Sequence, residues 1–555
     1  MNFAFNKYLV FLLLVSLFTV IIVVSLLASV PPVSRDALIY HLTVPKLYLQ
    51  HGGMYEISHM NRSYFPMNLD LLYLIPLYFS NDILPKFIHF AFALATAALI
   101  GRYLIRRTNL VYALLGALFF LTIPVIVRLS STVYVDLGLI FFLFASLLCI
   151  FQWIESDFKP VYLIISAVFC GLALGTKYNG LVGLFLLGLF VAFLYARFHA
   201  GQKLNTLKTM GWCAAFVMLA LLVFAPWMTR NIAWTGNPIY PRYNSIFNAK
   251  NVSAEKNPVK ASKAAARLTH VQRRIQIRRY IFGESWGQIA LLPLRVFFQG
   301  EDGNPQYFDG KISPFLLLLP LFAFFGIRTA GRQEKAEKFT MLCFSVLFLL
   351  YTFFQASIRI RYFSPILPPL VILSMFGLYN LQTDILNRIR LRSGPLKKAV
   401  IFCIILAMLG MNAAYMAKRF KKDQPLAYLT GKVTRDQYIQ AYRPEYASYQ
   451  YANKNLSQND KIFGLYIGDR GYYSDIPIEF GRNLIKHVEP QASSGKQIAE
   501  SLREKGFTHL MVNFSIFKNW LQKQTAREKQ LLADFFEHHT IKEFARDGYG
   551  LLRLK

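Results

Sequence analysis

Three ionisable residues stand where ionisable residues are costly, and their types suit one kind of chemistry. Asp36 lies in Ser34-Arg35-Asp36-Ala37-Leu38-Ile39-Tyr40-His41-Leu42, immediately after a long apolar run. Asp136, at the end of Ser130-Ser131-Thr132-Val133-Tyr134-Val135-Asp136, opens a second run. Lys177 follows a third, in Gly171-Leu172-Ala173-Leu174-Gly175-Thr176-Lys177-Tyr178-Asn179-Gly180. An acid at the mouth of a membrane span is unfavourable unless it is paired or faces a cavity. A carboxylate held where a lipid-linked phosphate meets a water-soluble acceptor can take a proton from an attacking hydroxyl or amine. A cation beside it can hold the phosphate. Each residue also has a plainer reading. Asp36 is equally a solvated loop acid or the N-cap of a following helix, and Lys177 can snorkel to the headgroups. Asp136 and Lys177 can also simply neutralise each other.

The elements that must position these residues are membrane spans. A chain of 555 residues would ordinarily make three or four soluble domains of ~150 residues each. Here 55% of residues are hydrophobic, only 16% are charged and the mean hydropathy is +0.35, which excludes that organisation. Eleven apolar segments approach the ~20 residues a bilayer span needs. They are 8–30, 83–104, 110–127, 132–154, 160–175, 181–196, 209–228, 313–327, 339–355, 362–379 and 399–416. The first exceeds the ~7–15 apolar residues of a secretory signal core and reads as a retained anchor. One alternate set of loops carries Arg102/Arg106/Arg107, Arg197/Lys203/Lys208, Arg328/Arg332/Lys335/Lys338 and Arg388/Arg390/Arg392/Lys397/Lys398. Short basic loops stay in the cytoplasm. The N-terminus is then cytoplasmic, and everything after Met416 lies outside.

The net charge of +31 admits two partners, nucleic acid or anionic lipid. No zinc finger, RNA-recognition signature or basic zipper is present, so the expectation is membrane lipids and no nucleic acid. The five cysteines (149, 170, 213, 343 and 403) all fall inside predicted spans without CxxC or zinc-like spacing, and read as small apolar residues. Two outer loops are too large to be connectors, 31–82 and 229–312. The first includes 67–79, a stretch suited to lying along the membrane surface. The second carries 13 Lys/Arg and 5 Asp/Glu. The expected organisation is a transmembrane domain, 1–416, followed by a small extracytoplasmic α/β domain, 417–555. In that domain 461–467 and 508–513 are strand-like, and 494–505 is helical.

Asp36, Asp136 and the Lys177 segment occur in the same chain as Pro226-Trp227-Met228-Thr229-Arg230-Asn231 and Trp234-Thr235-Gly236-Asn237-Pro238-Ile239-Tyr240-Pro241. In that order and on that topology the chain resembles the GT-C glycosyltransferases that use polyprenyl-phosphate sugars, such as undecaprenyl phosphate derivatives. It is similar to bacterial protein O-mannosyltransferases, lipid A aminoarabinose transferases and rhizobial lipopolysaccharide core transferases. The resemblance covers 1–379 in layout, and the C-terminal domain matches only in being a variable outer domain. It implies a polytopic α-helical GT-C-like fold with about 11 spans in a bacterial inner membrane. It also implies a hexosyl- or pentosyltransferase that acts on a glycolipid, glycan or protein acceptor.

The resemblance assigns Asp36 as the base toward the acceptor and Asp136 as the second outer acid. Lys177, Arg230 and Arg361 (in Arg359-Ile360-Arg361-Tyr362) fall to the donor phosphate, with Lys46 as a further candidate. Tyr40 and His41 fall to contacts with acceptor or sugar. Fixed cations stabilise the charge that develops as a phosphate departs, and the planar fork of Arg suits phosphate oxygens. A single acid at 36, followed by Ala37, departs from the acidic pair of the protein O-mannosyltransferases. Some relatives use a divalent metal. His41, His51 and His59 are too scattered to hold one, so no cofactor or metal is expected to be required.

Two further segments have double readings. In 259–282, Leu268, Val271, Ile275, Ile281 and Phe282 alternate with Arg267, Arg273, Arg274, Arg278 and Arg279. That pattern makes either a basic amphipathic helix on the membrane surface or a lid over the donor. Tyr472 and Tyr473 are either sugar-stacking residues or domain core. The rival functions are a transporter or flippase of lipid-linked sugars, a polymerase or ligase using diphosphate-linked oligosaccharides, and a noncatalytic scaffold. A transporter would show repeated halves, and none is visible.

Overall fold

The computed structural model describes residues 3–199, 206–248, 275–353, 358–385, 394–481 and 492–555. Each predicted span falls on a helix. Seven helices among the described residues are long and apolar enough to cross a membrane, among them Leu84–Arg107, Asp136–Glu155, Gly180–Phe198 and Thr206–Thr235. This is a multi-pass membrane protein. Leu110–Thr122 and Pro124–Ser130 form a further pair bent by 67°. Pro124 explains the bend. It has no N–H to continue the ladder, and it pushes Ile123 to an extended ψ of 128°. Pro160–Leu174 and Phe315–Phe324 are shorter apolar helices.

The chain divides into two compact units. The first comprises Met1–Ala28, Tyr64–Leu72 and Pro85–Gln424. Helices Asp136–Glu155 and Leu367–Asn380 form its core, with Leu143, Leu147, Ile150 and Trp153 of the first and Val371, Ile372 and Met375 of the second buried. Helices Phe3–Ala28 and Gly394–Asp423 instead turn Phe11, Phe18, Phe402 and Leu406 outward, as helices facing hydrocarbon do. Helix Leu367–Asn380 lies unusually close to the 3₁₀ turn Leu319–Phe324. A Cβ on Gly377 would sit 2.0 Å from the Leu319 carbonyl oxygen. Asn380 Nδ2 then donates to the carbonyls of Phe322 (3.0 Å), Ala323 (3.2 Å) and Phe325 (3.2 Å), which ties the helix to the end of that turn.

The second unit comprises Ser29–Ser63, Tyr73–Leu84 and Pro425–Lys555. By contacts, most of the first outer loop groups with the C-terminal segment. The stretch 67–79 folds as two short helices, Asn68–Leu72 and Leu74–Tyr78, which fall in different units. The second unit holds a five-stranded sheet of β1 (Ile462–Leu465), β2 (Ile478–Gly481), β3 (His509–Asn513), β4 (Thr540–Arg546) and β5 (Tyr549–Leu554), in the order β2-β1-β3-β5-β4. β1 runs parallel to β2 and β3, and β5 runs antiparallel to β3 and β4. The two strands and the helix expected from the sequence are present as β1, Gly495–Glu504 and β3, and β2, which the sequence reading did not include, lies between β1 and that helix. Side chains alternate between the two faces. Phe463, Leu510 and Leu552 pack with Ile498, Leu502 and Phe535 of the helices on one side. Ile462, Met511 and Leu551 pack with Tyr449 and Ala452 on the other.

The closeness at Gly377 yields a test of the helix packing. Gly377→Ala should cost about 1–3 kcal/mol by overpacking, seen as a lower thermal midpoint in detergent. An unchanged midpoint would mean that the two segments are not in backbone contact.

Candidate functional site

Asp136 is the first residue of helix Asp136–Glu155 and is wholly buried. The helix N-terminus favours an anion there, but that alone does not offset removal from water. Two cations from other elements supply the rest. Lys177 Nζ donates to Asp136 Oδ1 at 2.6 Å, and Arg361 Nη1 stands 4.0 Å from Oδ2. Among the described residues Oδ2 accepts no hydrogen bond. The three groups together carry one net positive charge.

His89 holds the helix start. Its Nε2 accepts the Leu137 N–H at 2.9 Å, while Nδ1 faces the carbonyl oxygens of Leu129 and Thr132, each at 3.0 Å. A carbonyl only accepts and an N–H only donates, so the ring is neutral with its proton on Nδ1.

Lys177 reaches Asp136 because the chain before it turns tightly. The N–H groups of Thr176 and Lys177 both donate to the Ala173 carbonyl at 3.1 Å. Gly175 lies so close to Asn68 that a Cβ would meet its amide nitrogen at 2.2 Å. Asn68 in turn donates from its backbone to the Gly175 carbonyl (2.8 Å) and accepts from Trp227 Nε1 (2.7 Å).

Arg361 lies on the single turn Ile360–Tyr362, which is anchored from both sides. Asn179 Nδ2 donates to the Tyr362 carbonyl at 3.0 Å, and the Ile360 N–H donates to the Phe308 carbonyl at 3.0 Å. Asp309, next to Phe308, pairs with Arg359 (3.5 Å) and Arg128 (3.0 Å). The aromatic rings of Tyr134 (4.7 Å) and Tyr362 (5.3 Å) flank the Arg361 guanidinium, and Lys177 meets the same Tyr362 ring at 5.4 Å.

Arg230 belongs to a different set of contacts in the same unit. It stacks on Trp227 (4.6 Å) and Trp234 (4.9 Å), and donates to the carbonyls of Tyr64 (2.6 Å) and Phe65 (3.1 Å) and to Asn231 Oδ1. It therefore pins the segment at 64–65 to helix Thr206–Thr235.

The remaining predicted residues lie in the second unit. Asp36 precedes the turn Ala37–His41 without a capping hydrogen bond from its side chain, and is 8% exposed. Neither a solvated loop acid nor a plain N-cap describes it. Tyr40 and His41 are buried with their rings 4.0 Å apart, and Arg62 lies over Tyr40 at 5.5 Å. Lys46 Nζ donates to the carbonyls of Tyr472 (3.0 Å) and Ser474 (2.8 Å) and to Asp475 Oδ1 (2.8 Å). Its three protons are spent on the loop 472–475. That loop reaches back, because the Tyr472 N–H donates to the Leu38 carbonyl (3.2 Å) and the Tyr473 hydroxyl to the Pro32 carbonyl (2.7 Å). Arg443 also donates to the Val33 carbonyl. The segment bearing Asp36 is thus gripped on both flanks, and the tyrosine pair does that work.

Residues 259–274 of the basic amphipathic segment lie outside the described residues. Within its end, Arg278 turns inward to Glu284 (2.8 and 2.9 Å), while Tyr280 and Ile281 are exposed. Among the described residues no three His, Cys, Asp or Glu side chains gather as a metal site. Sequence reasoning missed His89, Tyr362 and the Asp309 loop. It also passed over Asp70 and Lys86, both buried. His89 and Lys86 had a signal, since polar residues inside an apolar span are costly. The Asp309 loop had none.

Residues 65–233 match the family model described as dolichyl-phosphate-mannose-protein mannosyltransferase. A search of curated proteins by sequence finds no match. Among solved structures the chain is similar to ArnT from Cupriavidus metallidurans in the apo state, with a TM-score of 0.55 at 13% identity over 97% of each chain. It is similar to the same protein bound to undecaprenyl phosphate, with a TM-score of 0.53 at 12% identity, covering 100% of this chain and 98% of that one. It also matches the archaeal oligosaccharyltransferase AglB from Archaeoglobus fulgidus in complex with an inhibitory peptide and a dolichol-phosphate. There the TM-score is 0.51 at 12% identity, covering 99% of this chain and 74% of that one. The chain has the GT-C fold.

The matched stretch of this GT-C chain contains Asn68, His89, Asp136, Lys177 and Arg230, and leaves Asp36 and Arg361 outside it. The carboxylate, its lysine and the residues that shape both therefore fall within one contiguous stretch.

Coupling between these charges can be measured. Lys177→Met leaves the Asp136 carboxylate with its closest cation gone, which should cost about 3–5 kcal/mol and lower the thermal midpoint sharply. Asp136→Asn should cost less, and adding it to Lys177→Met should restore part of the loss. Strictly additive losses would show that the pair does not form. In the second unit, Lys46→Met should raise amide exchange in 32–46 and 472–475 and leave the strands of the sheet protected. Unchanged exchange in both segments would remove Lys46 from that grip.

Proposed function

We propose that this chain is a glycosyltransferase of a bacterial inner membrane, which moves a sugar from a polyprenyl phosphate to an acceptor on the outer face. The N-terminus is cytoplasmic and the sheet-bearing region extracytoplasmic. The acceptor is a glycolipid, glycan or protein hydroxyl or amine of the cell envelope. Asp36 takes the acceptor proton as the acceptor atom bonds to the anomeric carbon. The bond from that carbon to the phosphate oxygen breaks, and polyprenyl phosphate leaves with the negative charge. Direct attack with no covalent enzyme intermediate inverts the anomeric configuration.

The observation that carries this reading is the buried Asp136–Lys177–Arg361 cluster, set in a fold that ArnT adopts with undecaprenyl phosphate bound. Lys177 and Arg361 are the cations assigned to the donor phosphate, where charge accumulates as the bond breaks. Asp136 holds the Lys177 ammonium in place through their 2.6 Å contact. Arg230 and Lys46, which donate to backbone carbonyls, serve by fixing the segments at 64–65 and 472–475. Tyr40 and His41 are assigned to the acceptor or sugar, and no metal enters the step.

The test is transfer of label from radiolabelled polyprenyl-phosphate sugars in membranes holding the full chain. Asp36→Asn should lose about 10²–10⁴-fold in rate with donor binding retained. Arg361→Lys should weaken donor use because an ammonium cannot reproduce the planar fork. Equal transfer by wild type and Asp36→Asn would remove Asp36 from catalysis. Labelled lipid crossing the bilayer without transfer would make the protein a flippase.

A further inference from the structure

The end of helix Asp136–Glu155 away from Asp136 carries a second feature, independent of the transfer chemistry. Helices Leu84–Arg107, Asp136–Glu155 and Pro160–Leu174 leave a groove of about 290 Å³ between them. Its lining is graded. Arg102, Arg106, Gln152 and Tyr162 cluster at the end marked by Arg107 and Glu155, and Phe141, Leu148 and Phe169 line the rest. From Phe141 to Glu155 the helix rises about 21 Å, more than the ~15 Å depth of one hydrocarbon leaflet. One polar end and a leaflet-deep apolar body fit a single lipid molecule.

Charge decides which lipid. Arg107 is committed to Glu155 and Glu337, and Glu155 also accepts from Gln152. The one carboxylate of the groove is therefore already occupied. Arg102 and Arg106, both exposed, have no carboxylate within ion-pair distance among the described residues. Arg102 and, on the facing helix, Cys149 both line the groove.

We propose that this groove binds an anionic phospholipid of the adjoining leaflet. The phosphate sits on Arg102 and Arg106 with the Tyr162 hydroxyl and Gln152 amide beside it, and an acyl chain lies along Leu148 toward Phe141 and Phe169. Arginine is the suitable cation, because its fork matches phosphate oxygens, and basic residues beside a span are drawn to anionic lipid by the negative surface potential of the membrane.

The experiment is native mass spectrometry of the full chain, purified in detergent, titrated with phosphatidylglycerol or phosphatidylcholine. The wild type should retain phosphatidylglycerol at least 10-fold more tightly than phosphatidylcholine. The Arg102→Gln/Arg106→Gln pair should lose that preference, with its lipid-free thermal midpoint unchanged because both side chains are exposed. Arg328→Gln, an exposed arginine elsewhere, should keep the preference. Three results would overturn the proposal. They are equal retention of the two lipids by wild type, undiminished preference in the double variant, and equal loss in Arg328→Gln. Displacement of phosphatidylglycerol by undecaprenyl phosphate at lower concentration would assign the groove to that lipid instead.

Discussion

A carboxylate with no solvent exposure at the mouth of a membrane span sets the terms for everything around it. Asp136 would be neutral or intolerable without cations at hand, and those cations come from residues 41 and 225 positions further along the chain, at 177 and 361. Bringing them there dictates local structure. Gly175 must lack a side chain so that Asn68 can press against the turn before Lys177. The turn bearing Arg361 must be held by Asn179 on one side and by the Phe308–Asp309 loop on the other. His89 must stay neutral, because a second ring proton would point at the Leu137 N–H. Each of these features is unremarkable alone, and each follows from keeping one buried charge compensated.

The fold was largely legible because it rests on patterns of composition. Apolar runs of span length and basic loops require no partner to be recognised, and every predicted span corresponds to a helix. The strands at 461–467 and 508–513 were visible for the same reason, as short continuous apolar runs report burial on both faces of a sheet. What stayed hidden was association between distant segments. Nothing local marks Tyr472 and Asp475 as partners of Lys46, 429 residues away in the case of Asp475. Asp309 reads as one acid of a polar loop until Arg128 and Arg359 are seen to converge on it. Asp136 and Lys177 were readable as a pair because both sit at the ends of adjacent apolar runs, and span geometry alone brings such ends to one level.

The second unit shows the same economy applied to backbone. In the segment carrying Asp36 the carbonyls of Pro32 and Val33 accept from donors of the C-terminal region, and that of Leu38 is shared between Thr43 Oγ1 (2.7 Å) and the Tyr472 N–H. A buried carbonyl without a donor is costly, and a segment tied at several points loses the freedom to wander. The C-terminal region is therefore more than an appendage to the membrane helices. It fixes the position of a carboxylate that the sequence places just after the first span.

Lys177 and Arg361 also divide their labour in a way their chemistry explains. Lys177 makes the tight contact with Asp136, at 2.6 Å, which a compact ammonium does well. Arg361 stands off at 4.0 Å, with Tyr134 and Tyr362 against its guanidinium. Stacking engages the face of the guanidinium, whereas its hydrogen bonds leave from the edge. The two tyrosines flank the Arg361 guanidinium within cation–π distance and so favour its place beside the carboxylate. Tyr362 also meets Lys177, and the negative face of one ring lowers the repulsion between two cations it serves. An arginine at 177 and a lysine at 361 would keep the charge count and lose both arrangements, because the first would crowd the carboxylate and the second has no planar fork.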